Sequence, residues 1–255
     1  MEKTKIEWCD STINPISGCY NTCEYCYARS IATRFAGCDE YPDGKAPLHT
    51  MVLFEPLYRT NEDGKKRPAA YPFGFTPTYH KYRLERLKKG GYGKTIFVCS
   101  MADMFADWIP DSWIADIFKT CLEVPGHRYL FLTKNPERYR QLYIRGLLPE
   151  ANNFWYGTTS TNNDMPIFYS DRHNTFVSVE PILEKIDSAA EVADLVDWVI
   201  IGAETGNRKD KVVPERSWVE KIVDEFRDRE KPVFMKDSMI PIWGEDIPVE
   251  YPWDD

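Results

Sequence analysis

The sequence predicts an α/β protein in which parallel strands alternate with helices, as they do in an α/β barrel. Six short apolar runs rich in β-branched and aromatic residues recur along the chain, and their starts lie 21 to 35 residues apart. A polar or glycine turn and a helix-like stretch follow each run, which is the rhythm of strand–helix units and not of hairpins. Each run is almost continuously hydrophobic, as expected for strands that are covered on both faces.

The predicted strands are residues 95–99, 129–133, 155–159, 176–179, 198–201 and 233–235, preceded by a first strand near residues 12–16. Amphipathic helices are predicted at residues 112–124, 136–147 and 215–229, because apolar side chains recur there at helical spacing. A chain of 255 residues falls within the size range of one such barrel. We therefore expect a single domain over residues 1–255.

Two segments depart from this rhythm. Residues 37–78 are rich in Pro, Gly and Tyr and contain turn signals at residues 42–44 and 61–64. They predict an insertion with a small hairpin, residues 49–59 against residues 67–75. Residues 244–255 contain five acidic side chains and no basic one, which predicts an acidic C-terminal tail.

The composition is that of a soluble globular protein, with 43% apolar and 28% charged residues. No apolar run is long enough to cross a bilayer, and the first residues lack the pattern of a signal peptide. Seven cysteines, an odd number outside a secretory context, disfavour a disulfide framework and favour metal binding or thiol chemistry. We expect a cytoplasmic protein without membrane association.

The charge is unevenly distributed. The formal net charge is −8, which disfavours indiscriminate nucleic-acid binding. Residues 58–94 nevertheless contain ten basic residues against three acidic ones, and residues 128–145 contain five against one. This asymmetry indicates either a basic face that a polyanion could bind or a solvated helix face beside a flexible loop.

Three of the cysteines lie close together in residues 18–27, which we call the cysteine loop. Cys19, Cys23 and Cys26 are spaced as C-x3-C-x2-C. Three thiolates can each bind one iron of a [4Fe–4S] cluster, which leaves the fourth iron without a protein ligand. The amino and carboxylate groups of S-adenosylmethionine (SAM) can occupy that iron, and one electron then cleaves the cosubstrate to a 5′-deoxyadenosyl radical. The spacing favours this chemistry.

Two other kinds of site stay open at this point. Structural zinc needs four ligands, commonly in two closely spaced pairs, and Cys9 or Cys38 could supply one further thiolate. An ordinary ferredoxin-type cluster would likewise need a fourth cysteine.

The cysteine loop and the strand–helix rhythm resemble the radical SAM superfamily, and more narrowly a phage-associated family within it that is similar to spore photoproduct lyase. The narrower resemblance rests on residues 6–8 (IEW), 14–19 (NPISGC), 100–105 (SMADMF), 133–138 (TKNPER), 178–183 (SVEPIL), 198–206 (WVIIGAETG) and Lys236. It implies a partial (β/α)6 barrel of the TIM type with an insertion after the cysteine loop, an oxygen-sensitive [4Fe–4S] cluster and a SAM site. It also implies a reductant such as flavodoxin or ferredoxin and, if the protein is phage-encoded, the host cytoplasm as its location.

Polar residues directly after the predicted strands are the candidate cofactor contacts, because active sites of such barrels lie at the C-terminal strand ends. Ser100 and Asp103 are expected to meet the amino group of SAM, and Tyr25 to pack near the adenine. The other candidates are expected to bind ribose or carboxylate groups; they are Thr133, Lys134, Thr158, Thr159, Ser160 and Glu180. The alternative for the charged ones is a salt bridge at the barrel rim.

Three residues are candidates for catalysis. Cys99 ends a predicted strand and could donate a hydrogen atom to a product radical, although free cysteine is more often a small core residue. Glu204 and Lys236 follow later strands and could accept a hydrogen bond from the substrate or neutralise its charge.

Three hypotheses for function remain. The first is modification, isomerisation or repair of a nucleic-acid base by an isomerase or lyase, with phage-type thymine hypermodification as the specific case. A flipped base would need aromatic contacts, for which Tyr71, Phe73, Phe75, Tyr79 and Tyr82 are candidates. The second assigns a small metabolite or a peptide as the substrate. The third is a zinc- or cluster-binding protein without catalysis. The sequence does not fix the oligomeric state.

Overall fold

The fold is mixed α/β and comprises two compact units. The computed structural model describes residues 2–46, 51–89, 91–206 and 208–254. The first unit contains Met1–Thr4 and Cys9–Tyr129, and the second contains Lys5–Trp8 and Leu130–Asp255. The α/β class is thereby confirmed, whereas the partial barrel and the single domain stay predictions.

Short strands dominate the first unit. Its elements are β1 (Glu2–Lys3), β2 (Ser11–Ile13), β3 (Ile16–Ser17), α1 (Tyr27–Arg34), β4 (Met51–Leu53), β5 (Tyr58–Thr60), β6 (Lys66–Pro68), β7 (Thr78–His80), α2 (Glu85–Lys88), β8 (Thr95–Val98) and α3 (Asp111–Glu123). Strand β2 pairs with β1 in antiparallel fashion and with β8 in parallel. Strand β7 pairs with β3 in antiparallel fashion and with β4 in parallel.

The core of the first unit follows from the apolar patterning. Every residue of β8 is buried, as its continuous hydrophobic sequence predicted. Helix α3 buries Ile114, Ile117, Phe118 and Cys121, which occupy positions i, i+3, i+4 and i+7 and therefore lie on one face. Strand β8 and helix α3 thus confirm the predictions for residues 95–99 and 112–124 to within one residue.

The predicted insertion contains a shorter hairpin than expected. Strands β5 and β6 pair in antiparallel register, from Tyr58 opposite Pro68 to Thr60 opposite Lys66. The start of the predicted hairpin, residues 49–50, lies outside the described residues. Its second limb was predicted to reach residue 75, but the strand ends at Pro68, because proline has no backbone N–H to donate to a ladder.

Parallel strands and their connecting helices form the second unit. Its elements are β9 (Arg128–Thr133, which begins in the first unit), α4 (Pro136–Ile144), β10 (Phe154–Thr159), β11 (Asn174–Val179), α5 (Ala189–Leu195), β12 (Trp198–Ile201), α6 (Arg216–Arg227), β13 (Val233–Met235) and α7 (Ile240–Trp243). Strands β10 to β13 pair in parallel in chain order. The predicted strands from residue 129 onward are confirmed to within two residues at each end.

Helices α5 and α6 cover one face of this sheet. Val219, Ile222, Val223 and Phe226 of α6 are buried in a cluster with apolar residues of β11, β12 and β13. Because the strands are parallel, the residues that follow their carboxyl ends gather at one edge of the sheet. In the part of the chain that the structure describes, no helix is long and apolar enough to span a bilayer.

Candidate functional site

The cysteine loop begins at a glycine that no other residue could replace without distortion. Gly18 has a φ of 88°, and a Cβ there would lie far inside van der Waals contact of the Thr76 carbonyl oxygen. The Gly18 N–H donates to the Met101 carbonyl at 2.9 Å, and the Cys19 N–H donates to the Phe75 carbonyl at 3.0 Å. The start of the loop is therefore held from two sides.

The three thiols of the loop occupy different environments. Cys19 is buried, whereas Cys23 and Cys26 are half-buried. Cys26 is the N-cap of α1, and its Sγ accepts a hydrogen bond from the Arg29 N–H at 3.3 Å. The Cys26 N–H in turn donates to the Cys23 carbonyl at 3.2 Å, which closes a tight turn between the two cysteines.

Burial and neighbouring charges act on the first thiol. Desolvation raises the pKa of Cys19 to about 11, and the charges of Asp103 and Cys23 add to the increase, while backbone N–H groups of Asn21 and Asp103 oppose it. The Asn21 N–H lies 3.4 Å from the Cys19 Sγ. Cys19 is therefore a protonated thiol at neutral pH, and a cation that binds it must release that proton.

The arrangement of the described side chains does not match a single-ion metal site. Among the described residues, no three His, Cys, Asp or Glu side chains are arranged to hold one metal ion. A zinc site requires its ligands to converge on one point. In a [4Fe–4S] cluster each thiolate would bind a different iron, and cluster binding by the three cysteines stays a prediction.

Two predicted cofactor residues, Ser100 and Asp103, lie in the same unit as the cysteine loop. The Ser100 Oγ donates to the Asn14 Oδ1 at 3.1 Å, and the Tyr27 hydroxyl donates to the Ser100 carbonyl at 2.9 Å. Asp103 is buried, and its Oδ1 accepts from the Phe105 N–H at 3.1 Å. Tyr25, within the loop itself, is half-buried.

Asn14 has a role that was not predicted from the sequence. Its side-chain oxygen accepts from both Ser100 and the Met101 N–H, and it therefore fixes the turn after β8 to the turn after β2. Asn14 is buried and directly follows the short strand β2. Its position at the start of the motif of residues 14–19 was the one sequence feature that could have indicated this role.

Cys99 lies in the core of the first unit. It is 2% exposed and has a φ of 64°, a left-handed conformation that is strained for a residue with a side chain. Burial raises the pKa of its thiol to about 12. This environment is typical of a small core residue, and the role of Cys99 as a hydrogen-atom donor stays a prediction.

In the second unit, the predicted residues Glu180 and Lys236 form an ion pair. The Lys236 Nζ contacts the Glu180 Oε1, and both side chains are largely buried. Gly202 lies beneath this pair, because a Cβ built on it would come within 3.1 Å of the Glu180 Cγ and of the Lys236 Cδ. The pair bridges the ends of β11 and β13 across the end of β12.

Glu204 is engaged by an arginine. Its two carboxylate oxygens accept from the Nε and Nη2 of Arg208, each at 2.7 Å, and its side chain is 1% exposed. Hydrogen bonds from the Arg208 guanidinium hold the pKa of this carboxyl below its usual value. Glu204 is thus an ionised member of a salt bridge, which is the alternative that the sequence left open.

The remaining predicted residues of the second unit stabilise local turns. The Thr133 Oγ1 accepts from the Asn135 N–H at 2.9 Å, and the Thr158 Oγ1 accepts from the Phe168 N–H at 3.0 Å. The Ser160 Oγ donates to the Asn162 carbonyl at 3.2 Å. Thr159 is buried and Lys134 is half-buried.

The basic region and its aromatic residues are less available than the sequence suggested. Lys81 pairs with Asp116 at 2.6 Å, and Arg83 is buried with its Nη1 donating to the Asn14 carbonyl. Phe73 and Tyr79 are each 1% exposed and pack inside the first unit, and a role of the aromatic residues as contacts for a flipped base stays a prediction. The exposed cations of this region lie on the β5–β6 hairpin and at the C-terminal end of α2; they are Arg59, Lys65, Lys66, Arg67, Arg86, Lys88 and Lys89.

A buried histidine gives the first unit a pH dependence. His80 is fully buried, its Nε2 lies 2.8 Å from the Ser17 Oγ at the start of the cysteine loop, and burial holds its pKa well below the ordinary value of 6.5. The unfolded chain therefore binds a proton below about pH 6.5 that the folded chain does not.

We expect the free energy of unfolding to fall by about 1.4 kcal/mol per pH unit for this histidine as the pH drops below that value. Urea unfolding between pH 7.5 and 5.5 measures the slope, and His80→Gln should reduce it; an unchanged slope would contradict this assignment.

The packing over Gly202 predicts a second stability effect. A methyl group in Gly202→Ala must displace Glu180 or Lys236, so we expect the free energy of unfolding to fall by about 1 to 3 kcal/mol. Gly91→Ala is the matched control, because no atom lies within 4 Å of a Cβ at that position. Equal urea midpoints for the two variants would show that the ion pair does not depend on Gly202.

Comparison with known proteins yields one match. Residues 3–249 match the profile of the family described as "Protein of unknown function (DUF5131)". No curated protein and no solved structure matches the chain. The assignment to the radical SAM superfamily, and within it to the phage-associated family similar to spore photoproduct lyase, is therefore wrong. A C-x3-C-x2-C loop is a local ligand pattern, and such a pattern specifies donor chemistry and not ancestry. The chain belongs to the DUF5131 family.

Proposed function

We propose that the protein is an iron–sulfur enzyme that holds a [4Fe–4S] cluster with Cys19, Cys23 and Cys26 and uses it to cleave SAM reductively. The observation that carries the proposal is a loop of three thiols, one of which, Cys19, lines an open cleft. When bound through three thiolates, such a cluster has an iron at which SAM can be chelated and reduced to a 5′-deoxyadenosyl radical.

The residues around the loop are suited to hold thiolates. Cys26 is at the N-terminus of α1, where the helix dipole and the Arg29 N–H stabilise negative charge on sulfur. The Asn21 N–H does the same for Cys19. Hydrogen bonds to ligand sulfurs also influence the reduction potential of a cluster, so these two amides are part of the proposed site.

The wider proposal retains the other expectations from the sequence. It includes a partial (β/α)6 barrel, cofactor contacts from Ser100 and Asp103, and a cytoplasmic electron donor such as flavodoxin or ferredoxin. The substrate in this proposal is a nucleic-acid base, which an isomerase or lyase reaction modifies or repairs. The exposed Arg59, Lys66 and Arg67 of the β5–β6 hairpin support an anionic substrate.

Anaerobic reconstitution with iron and sulfide tests the proposed function. We expect a brown protein that contains about four irons per chain and that releases 5′-deoxyadenosine when SAM and dithionite are added. A colourless protein with one bound zinc and no affinity for SAM would instead establish the non-catalytic alternative. If the enzyme converted a small metabolite or a peptide but no nucleic acid or nucleotide, the radical chemistry would be retained. The nucleic-acid base would then be rejected as the substrate.

A further inference from the structure

We propose that Arg29 and Thr33 bind the phosphate of a nucleotide substrate in the cleft beside the cysteine loop. The inference names the substrate group of the proposed enzyme and therefore rests on the proposed function. The cleft lies within the first unit, has a volume of about 990 Å³ and is lined by Cys19, Arg29 and Thr33 among others. Its size is in the range of small-molecule sites.

Helix α1 brings these groups to one side. Cys26 caps the helix, Arg29 follows three residues later and Thr33 four residues after that. Residues three or four apart share a helix face, so the thiol, the guanidinium and the hydroxyl lie in a row. With a rise of 1.5 Å per residue, Arg29 is about 4.5 Å along the axis from Cys26.

The guanidinium of Arg29 is already oriented. Its Nη2 donates to the Asn21 carbonyl at 2.5 Å, and its Cζ lies 4.8 Å from the centre of the Phe75 ring. Arg29 is half-buried, and among the described residues no carboxylate pairs with it. Within that part of the chain its other side-chain N–H groups can meet a ligand, and their planar arrangement matches two oxygens of a phosphate.

The remaining lining of the cleft suits an anion with hydrogen-bonding oxygens. Lys45 supplies a second cation. Its partner Asp43, 3.5 Å away, also lines the cleft, and this exposed pair is weak enough to rearrange when an anion binds. Thr22 and Thr76 add hydroxyl groups to the lining. A phosphate anchored at Arg29 would place the attached nucleoside next to Cys19, where the proposed chemistry occurs.

Calorimetric titration of the full chain with thymidine monophosphate, at low salt, tests the site. We expect Arg29→Met to weaken binding about 10-fold to 100-fold, because a charge-assisted bidentate contact is lost. Arg29→Lys keeps the positive charge but loses the planar guanidinium, so its nucleotide affinity should lie between those of the wild type and Arg29→Met. Arg34→Met is the matched control, because Arg34 lies exposed on the same helix over Phe35 and outside the cleft lining; it should bind like the wild type.

Four results would overturn the inference. They are no measurable nucleotide affinity in the wild type, equal affinities of wild type and Arg29→Met, thymidine binding as tightly as its monophosphate, and displacement of the nucleotide by equimolar succinate. Titration with a short single-stranded oligonucleotide shows whether the phosphate belongs to a polynucleotide or to a free nucleotide. Binding of either ligand that depends on Arg29 supports the site.

Cluster content separates this inference from the proposed function. Reconstituted Thr33→Val should retain the iron content and the SAM cleavage of the wild type while binding the nucleotide more weakly, because the Thr33 hydroxyl lines the cleft and takes no part in the proposed cluster site. Loss of iron in Arg29→Met with unchanged nucleotide affinity would give Arg29 a structural role only and would overturn the inference. Absence of SAM cleavage in a wild type that still binds the phosphate through Arg29 would instead reject the proposed function and leave the phosphate site in place.

Discussion

Cys23→Ala is expected to lose the cluster iron and the release of 5′-deoxyadenosine together. Two thiolates remain in this variant, and a cubane that is held at two corners exchanges its irons with solvent and dissociates. Iron and sulfide analysis after anaerobic reconstitution measures the first effect, and chromatography of the SAM reaction measures the second. The position is half-buried, so removal of its sulfur creates little cavity and should leave the fold intact.

Cys9→Ala is the matched control for Cys23→Ala. Cys9 is also half-buried, belongs to the same unit and lies outside the cysteine loop. We expect this variant to retain both iron and SAM cleavage. Loss of iron in Cys9→Ala would show that Cys9 binds the fourth corner, and retention of full iron in Cys23→Ala would remove Cys23 from the ligand set. Either result would contradict the proposed site.

Gly18→Ala is expected to destabilise the first unit and abolish cluster assembly. The new Cβ would overlap the Thr76 carbonyl, and the φ of 88° is unfavourable for alanine. The left-handed conformation costs about 1 to 2 kcal/mol and overpacking against the backbone about 1 to 3 kcal/mol more. We expect the free energy of unfolding to fall by about 2 to 5 kcal/mol, measured by urea denaturation.

Gly64→Ala separates the two contributions. Gly64 has a φ of 74°, but no atom lies within 4 Å of a Cβ at that position. This variant should lose only the conformational part, about 1 to 2 kcal/mol, and should assemble the cluster normally. If Gly18→Ala lost no more stability than Gly64→Ala, the close approach of the cysteine loop to Thr76 would not matter for the fold.

The buried strands could be predicted because their hydrophobicity is continuous and local. Strands β12 and β13 occur at the predicted bounds, and β8 to β11 differ by one or two residues. Helix α1 was missed, since only Ala28 and Ala32 are buried in its eight residues and no apolar periodicity reveals it. One strand was predicted near residues 12–16, but the structure has two, β2 and β3. Pro15 lies between them and interrupts the ladder, because proline has no backbone N–H to donate.

The candidate site could be predicted only where it is contiguous in sequence. The three cysteines are visible as a spacing, but the partners that hold their loop come from Phe75, Thr76 and Met101, which are distant in the chain. The hydrogen bonds between Arg208 and Glu204 depend on the local path of the backbone after β12. A carboxylate that follows a predicted strand does not indicate which residue it pairs with. The contacts of Phe75, Thr76 and Met101 follow from tertiary structure, whereas the Glu204–Arg208 pair follows from a local loop conformation that residue spacing does not reveal.

The proposed function requires that three protein thiolates leave one iron of the cluster open to SAM. Mössbauer spectroscopy of protein reconstituted with iron-57 tests it directly, because a ligand that binds one corner changes the signal of that iron alone. We predict that the addition of SAM shifts one of the four iron sites and leaves the other three unchanged. Four sites that do not respond to SAM, or a protein that takes up zinc and no iron, would contradict the claim.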